Sequence, residues 1–164
     1  LSLMVVSSRG WELSVARRYR EAEDAFRMAD DLDPAFQWSH LFRAWSYEAR
    51  GKYAAAIDTL NRAGGKNDVV LGELAHALGR AGRKAEAARI LEELTASSAG
   101  HYVSPYDLSR AYEGLGRRDE AMSALVRACD DRSPIIVFLK VEPVFAEWRS
   151  DPRFVEILRR LHLE

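Results

Sequence analysis

The histidines and carboxylates are the side chains of this sequence that could bind a metal ion or transfer protons. The four histidines are His40, His76, His101 and His162. None has a second histidine or a cysteine at the spacing of a metal site. His76 follows Glu73 by three residues and precedes Arg80 by four, which predicts a polar patch on one helix face. Such a patch is more typical of a binding contact than of a catalytic centre, so we predict no metal site.

Other patterns that carry chemistry are lacking. Asp30, Asp31 and Asp33 form an acidic turn without the further ligands of a calcium loop. There is no glycine-rich phosphate loop and no nucleophile elbow. Cys129 is the single cysteine, which predicts a small buried side chain and no internal disulfide. We therefore predict no catalytic residues and no cofactor, and a chain that is not an enzyme.

Composition limits the partners and the compartment. The chain has 164 residues, 48% hydrophobic, with 24 Lys and Arg against 25 Asp and Glu. A binder of phosphate backbones needs a basic excess, so we predict no nucleic-acid binding by this segment.

The longest apolar run, 135–139, is far too short for membrane insertion. The lone cysteine favours the cytoplasm, with the periplasmic part of a membrane-anchored regulator as the alternative. Because it begins with Leu, we expect a segment of a longer protein.

A repeated pattern organises most of the chain. Alanines recur at Ala22, Ala56, Ala87 and Ala121, so the spacings are 56−22=34, 87−56=31 and 121−87=34. Four residues after each alanine stands Phe26, Leu60, Leu91 or Leu125, and five residues before the last three stands Gly51, Gly82 or Gly116. Small residues at these places let bulky neighbours pack between paired helices. The shorter spacing predicts a tight turn at Gly64–Gly65.

Residues 4–134 therefore resemble the tetratricopeptide repeat family. The resemblance implies an all-α, right-handed superhelical solenoid of four helix pairs, at about 3–36, 37–67, 68–101 and 102–134. A C-terminal helical cap is expected at 135–164. We predict helices at 4–16, 19–31, 36–50, 53–63, 68–80, 84–97, 105–115 and 118–131. The IIVFLKV stretch could be a strand by composition, but a short buried helix is favoured because no partner strand is available. A turn is expected near Glu142–Pro143, and a last helix from Pro152. The five prolines are expected in first turns of helices.

Charges alternate in sign at the turns of the repeats. Basic residues lie in all four turns, and acidic residues open the following helices in three of them. Two interpretations are open. One is a basic ridge for an anionic partner. The other, which explains both signs, is local stabilisation of helix ends by the helix dipole.

The resemblance implies a concave groove lined by the first helix of each pair. The residues expected on or beside it, here named the inner row, are Trp11, Trp38, Leu41, Trp45, Glu48, His76, Arg80, Tyr106, Arg110 and Glu113. Either these side chains bind a peptide or partner domain, or the aromatic ones fill the tight inner wall. Arg9 and Arg43 depart from the family pattern, because each stands where an apolar residue is usual.

The carboxyl-terminal residues carry a narrower resemblance. YVSPYDLSRAYEGLGRRDEAM and RSPIIVFLKVEPVF are similar to tails of bacterial multidomain signalling proteins, which follow a winged-helix regulator, serine/threonine kinase or adenylyl cyclase domain. We therefore predict a non-catalytic protein-interaction scaffold that binds a protein or peptide within a bacterial signalling or transcription regulator. Self-association as a homodimer is the alternative. The Lys and Asn clamp of chaperone-binding relatives is missing from the expected positions.

Overall fold

The computed structural model describes residues 2–64, 67–98 and 100–164. Within them the fold is all-α, as predicted, and no strand occurs. The chain divides into two compact units, Leu1–Lys66 and Asn67–Glu164. Gly64 has the positive φ of a turn, at 56°. Gly65, the second residue of the predicted tight turn, lies outside the described residues.

The first unit contains two helix pairs. They are α1 (Leu3–Val15) with α2 (Tyr19–Leu32), and α3 (Gln37–Glu48) with α4 (Tyr53–Arg62). The small-against-large packing expected from the repeat is visible where Gly10 of α1 faces Phe26 of α2. A β-carbon added to Gly10 would lie 2.5 Å from the Phe26 ring, so any larger residue would require that buried ring to shift.

The second unit contains two further pairs and a carboxyl-terminal extension. The pairs are α5 (Asp68–Arg80) with α6 (Lys84–Ser97), and α7 (Pro105–Gly114) with α8 (Arg118–Asp130). Two 3-10 segments, Pro134–Phe138 and Pro143–Trp148, lead into α9 (Pro152–Arg160). Phe145, Trp148 and Phe154 of this extension share one buried cluster with Met122 and Leu125 of α8. The extension therefore covers an apolar face of α8, as a solenoid cap does.

The helices lie close to their predicted bounds, and two local expectations need correction. Residues 134–138 form a short helix as predicted, but it is of the 3-10 type, and Val137 and Phe138 are exposed while Ile136 is buried. The predicted turn before Pro143 is present at residues 139–141, and Pro143 begins the second 3-10 helix. Pro34 does not begin a helix, since α3 starts three residues later at Gln37. Asp33 instead accepts a hydrogen bond from the Ala35 amide, which makes this segment a turn.

The turns within the pairs repeat a common local structure. Gly51, Gly82 and Gly116 all have positive φ, and Arg17 takes that conformation in the first pair. Arginine at the cap of the following helix then pairs with a glutamate three residues on. These pairs are Arg18–Glu21, Arg83–Glu86 and Arg117–Glu120. One basic residue in each of three turns is thus used in a local ion pair, which agrees with the helix-end interpretation for those three residues.

Candidate functional site

The aromatic members of the inner row in the first unit form a packed cluster. Trp11 and Trp45 meet edge to face with their ring centroids 5.4 Å apart. Phe42 lies 5.3 Å from Trp45 and 5.8 Å from Trp38. Trp11 and Trp45 are 5% and 3% exposed. Their rings therefore stabilise the interior, and Trp38 is the half-buried edge of the cluster.

In the second unit, α5 and α7 approach so closely that glycine is required on both helices. A β-carbon on Gly72 would lie 2.8 Å from the Asp107 carbonyl oxygen, and one on Gly79 would collide with the backbone of Gly114. The inner-row residues of these helices, apart from the exposed Arg80, are consequently enclosed between the two backbones. His76, Tyr106 and Arg110 are each at most 2% exposed.

Arg110 is the centre of a buried ion-pair network. Its Nη2 donates to Oε2 of Glu73 on α5. Its Nη1 donates to Oε2 of Glu142, which precedes the second 3-10 segment, at 3.1 Å. All three side chains are at most 2% exposed. Burial, followed by the charge of Glu142, raises the pKa of the Tyr106 phenol well above its ordinary value. Arg110 thus links α5 and the capping extension through α7.

Glu113 pairs with the two remaining basic side chains of the inner row in this unit, His76 and Arg80. Its Oε2 lies 2.8 Å from His76 Nε2, and its Oε1 lies 3.5 Å from Arg80 Nη1. Burial alone would raise the pKa of Glu113. The hydrogen bond from His76 and the positive charges of His76, Arg80 and Arg110 outweigh it, so the pKa lies below its ordinary value. Glu113 is therefore held as a carboxylate that joins α5 to α7.

Asp107 is a buried carboxyl that the sequence indicated only as part of a helix cap and not as a site residue. It lies on α7, is 3% exposed and packs against Gly72. Burial, and then repulsion from Asp68, raise the pKa of Asp107 to about 7, against a smaller lowering by Arg110. Asp68 itself pairs with His101 at 2.7 Å. The raised pKa has a structural origin, and the described residues place no partner group around Asp107 that would define a reaction.

Arg43, a departure from the family pattern, is explained by contacts within the first unit. Its Nη1 donates to Oδ2 of Asp30 at 2.6 Å, and its Nε lies 3.5 Å from Oε1 of Glu23. The guanidinium also lies over the Phe26 ring, 5.3 Å from the centroid. The guanidinium of Arg43 on α3 is therefore bound to one face of α2.

Eight of the ten inner-row side chains lie in the interior: Trp11, Leu41, Trp45, Glu48, His76, Tyr106, Arg110 and Glu113. Close helix packing, rather than an open wall, encloses them. Of the ten inner-row side chains, a docking partner could in this conformation reach only the half-buried Trp38 and the exposed Arg80. A contribution of the buried eight to partner binding stays a prediction, and their direct contact with a partner would require the helices to separate.

A comparison with protein families gives one match to this region. Residues 106–130 match the tetratricopeptide repeat. This segment is a tetratricopeptide repeat. It extends from Tyr106 on α7 to the end of α8, and it includes Arg110 and Glu113 of the inner row. Tetratricopeptide repeats generally mediate protein–protein interaction, so the match supports an interaction protein.

The other two comparisons identify no similar protein. Neither the curated proteins nor the solved structures contain a significant match to the chain. Across residues 2–64, 67–98 and 100–164, no helix combines the length and the apolar character needed to cross a membrane. The tetratricopeptide repeat at 106–130 is thus the family evidence that bears on function.

Proposed function

We propose that the chain is a non-catalytic protein-interaction scaffold that binds a peptide or a partner domain. The tetratricopeptide repeat at residues 106–130 carries the proposal. Its charged inner residues support the non-catalytic part, because Arg110 and Glu113 are held in ion pairs between helices. Groups fixed in this way stabilise the scaffold and are not poised for chemistry on a substrate.

Each unit offers its own contact surface in this proposal, the accessible part of its inner row. In the first unit it is Trp38, whose ring packs on Phe42 and which is half-buried. In the second unit it is Arg80, whose side chain is 44% exposed. Tryptophan and arginine are the residue types that most often carry binding energy at protein interfaces.

The parent of this scaffold, in our proposal, is a larger bacterial signalling or transcription regulator in the cytoplasm. The resemblance of residues 102–161 to the tails of such regulators supports the context. The buried free thiol of Cys129 is compatible with a reducing compartment. Self-association of the parent through this segment remains the alternative function.

Affinity capture with matched surface variants tests the proposal. Trp38→Ala and Arg80→Glu alter the accessible inner row, while Asp58→Ala and Arg89→Glu alter exposed positions outside it. We expect a protein partner that wild type and both controls retain and that either inner-row variant loses. Calorimetric titration with the purified partner should give the same order of affinities. Equal binding by all four variants, or loss only in the controls, would contradict the proposal.

A further inference from the structure

The first helix pair carries an apolar groove on its surface. The groove has a volume of about 600 Å³, and we name it the α1–α2 groove. Its α1 wall consists of Val5, Val6, Arg9 and Leu13. Val5 is 63% exposed, and Met28 on the opposite wall is 50% exposed. Contiguous exposed apolar side chains of this kind are typical of interaction sites.

The repeat itself shows what such a wall binds. A shift of 34 residues, the spacing from Ala22 to Ala56, carries the four α1 wall residues onto Ser39, His40, Arg43 and Tyr47 of α3. Two of these α3 residues contact α2 of the preceding pair. Arg43 pairs with Glu23 and Asp30, and the Tyr47 hydroxyl donates to Glu23 at 3.4 Å. The α1 wall is therefore a second copy of a surface that, on α3, holds a helix.

The helix held by α3 has a defined chemistry. Glu23 and Asp30 stand seven residues apart on one face of α2, and Phe26 lies between them under the Arg43 guanidinium. Arg9 occupies on α1 the place of Arg43. It is exposed, and within the described residues its guanidinium forms no hydrogen bond or ion pair.

The groove is lined by one cation, Arg9, and two carboxylates. Glu21 and Asp24 line the α2 wall, and each is already paired, with Arg18 and Arg27 respectively. Arg9 is then the cation of the groove left for a partner, although its charge also contributes to lowering the pKa of Glu21. Valines replace Ser39 and His40 at the other wall positions, so the α1 wall is more apolar than the α3 wall.

We propose that the α1–α2 groove binds an amphipathic helix of a partner protein that carries two carboxylates seven residues apart with an aromatic side chain between them. The proposal rests on the proposed interaction function and adds a surface separate from Trp38 and Arg80. The partner's carboxylates pair with Arg9, and its aromatic ring packs under the Arg9 guanidinium beside the exposed Val5 and Met28, as Phe26 packs under Arg43.

A helix-stabilised peptide with the α2 sequence, YREAEDAFRMADDL, is the probe. Methyl NMR reports where it binds, because the chain has three methionines. Met28 lines the groove and is 50% exposed, whereas Met122 is 2% exposed in the second unit. We expect the Met28 methyl signal to shift on titration and the Met122 signal to stay unchanged.

Charge variants test whether the peptide binds through its carboxylates to Arg9. Arg9→Glu should weaken binding of the peptide by about tenfold or more, measured by fluorescence anisotropy. Arg89→Glu, the same charge change on α6, should leave binding unchanged, and circular dichroism checks that both variants are folded. A peptide with Glu23→Gln and Asp30→Asn should lose affinity for wild type but lose little for Arg9→Glu.

Three results would overturn the proposal. They are equal affinity of Arg9→Glu and wild type, a shift of Met122 without one of Met28, or a dimer of the chain that Arg9→Glu dissolves while the peptide does not bind. The last would assign the groove to a second copy, and sedimentation would detect it. Partner capture that depends on Trp38 and Arg80 is measured separately, so failure at Arg9 is distinguishable from failure of the proposed function.

Discussion

Gly114 lies so close to His76 that a β-carbon added to Gly114 would fall 2.5 Å from the His76 α-carbon. This contact brings the backbones of α7 and α5 together. No open groove remains between the inner faces of the two helices. His76 on α5 pairs with Glu113 on α7 across this contact, and Arg110 on α7 pairs with Glu73 on α5. Glycine thus determines the electrostatics of this unit, because close helix packing removes the solvent that would otherwise hydrate these charges.

Substitution of these glycines should destabilise the second unit. Gly79→Ala and Gly114→Ala each place a methyl group against backbone that cannot move aside like a flexible side chain. We expect a loss of at least about 2 kcal/mol of unfolding free energy despite the higher helix propensity of alanine. Urea denaturation measures it. Gly100→Ala, where the nearest atom is 3.8 Å away, is the control and should be nearly neutral. Equal stability of all three variants would contradict the packing described.

Removal of the Arg110 guanidinium should lower the unfolding free energy by more than the loss of its packing contacts alone would. Arg110→Met leaves the carboxylates of Glu73 and Glu142 buried without their common cation. We expect a loss of about 3–5 kcal/mol in the unfolding free energy at pH 7. Adding Glu73→Gln and Glu142→Gln to this variant should recover part of the loss, because the buried charges are then removed. If the additional substitutions only add to the loss, Arg110 does not act by neutralising those carboxylates.

Asp107 should make stability depend on pH between about 4 and 7. Its pKa is raised to about 7 in the folded chain, from an ordinary value of 3.8. The folded state therefore keeps a proton that the unfolded chain releases, and this contribution, complete below pH 4, is lost as pH rises to 7. Asp107→Asn should be more stable than wild type by about 2–4 kcal/mol at pH 8 and similar to it at pH 3.5.

Unfolding titrations at several pH values measure this effect, with the exposed Asp58→Asn as control. Asp68→Asn should move the transition of Asp107 toward lower pH, since it removes the carboxylate that repels Asp107. A wild-type minus Asp107→Asn difference that is constant from pH 3.5 to 8 would show that the Asp107 pKa is not raised.

Trp45 should behave as a core residue. Trp45→Ala removes a ring that packs on Trp11 and Phe42 and is 3% exposed, so we expect about 3–5 kcal/mol of destabilisation. Trp38→Ala should cost less because Trp38 is only half-buried. Thermal unfolding compares the two variants. A Trp45→Ala protein as stable as Trp38→Ala would contradict the burial of the Trp45 ring.

The sequence predicted the helices well because their signals are local and repeated. Glycines at the turns, alanines at the helix contacts and the 34-residue spacing each act within one pair and recur in register. The 3-10 type of the two short helices in the extension was not predicted, since the short apolar run before Lys140 has no period that distinguishes helix types. Pro34 was misplaced because its preceding Asp33 caps a turn as readily as a helix.

The candidate site was harder to predict, since exposure depends on how closely neighbouring helices pack. The sequence did contain one unused signal for the ion pairs. Glu73 and Arg110 are 110−73=37 residues apart, and so are His76 and Glu113, at 113−76=37. That distance is one 34-residue period plus three, about one helical turn. Opposite charges at this offset should indicate contacts between adjacent pairs. Neither spacing nor composition indicated the burial of Asp107, which depends on Gly72.

Site-specific photo-cross-linking tests the interaction function most directly. Benzoylphenylalanine is placed at Trp38 and, in separate variants, at Arg80, Asp58 and Arg89, and each folded variant is irradiated with lysate of the encoding organism. The proposed function predicts a protein cross-linked from Trp38 and Arg80 and not from Asp58 or Arg89. Cross-links that are equal at all four positions, or absent from Trp38 and Arg80, would contradict it.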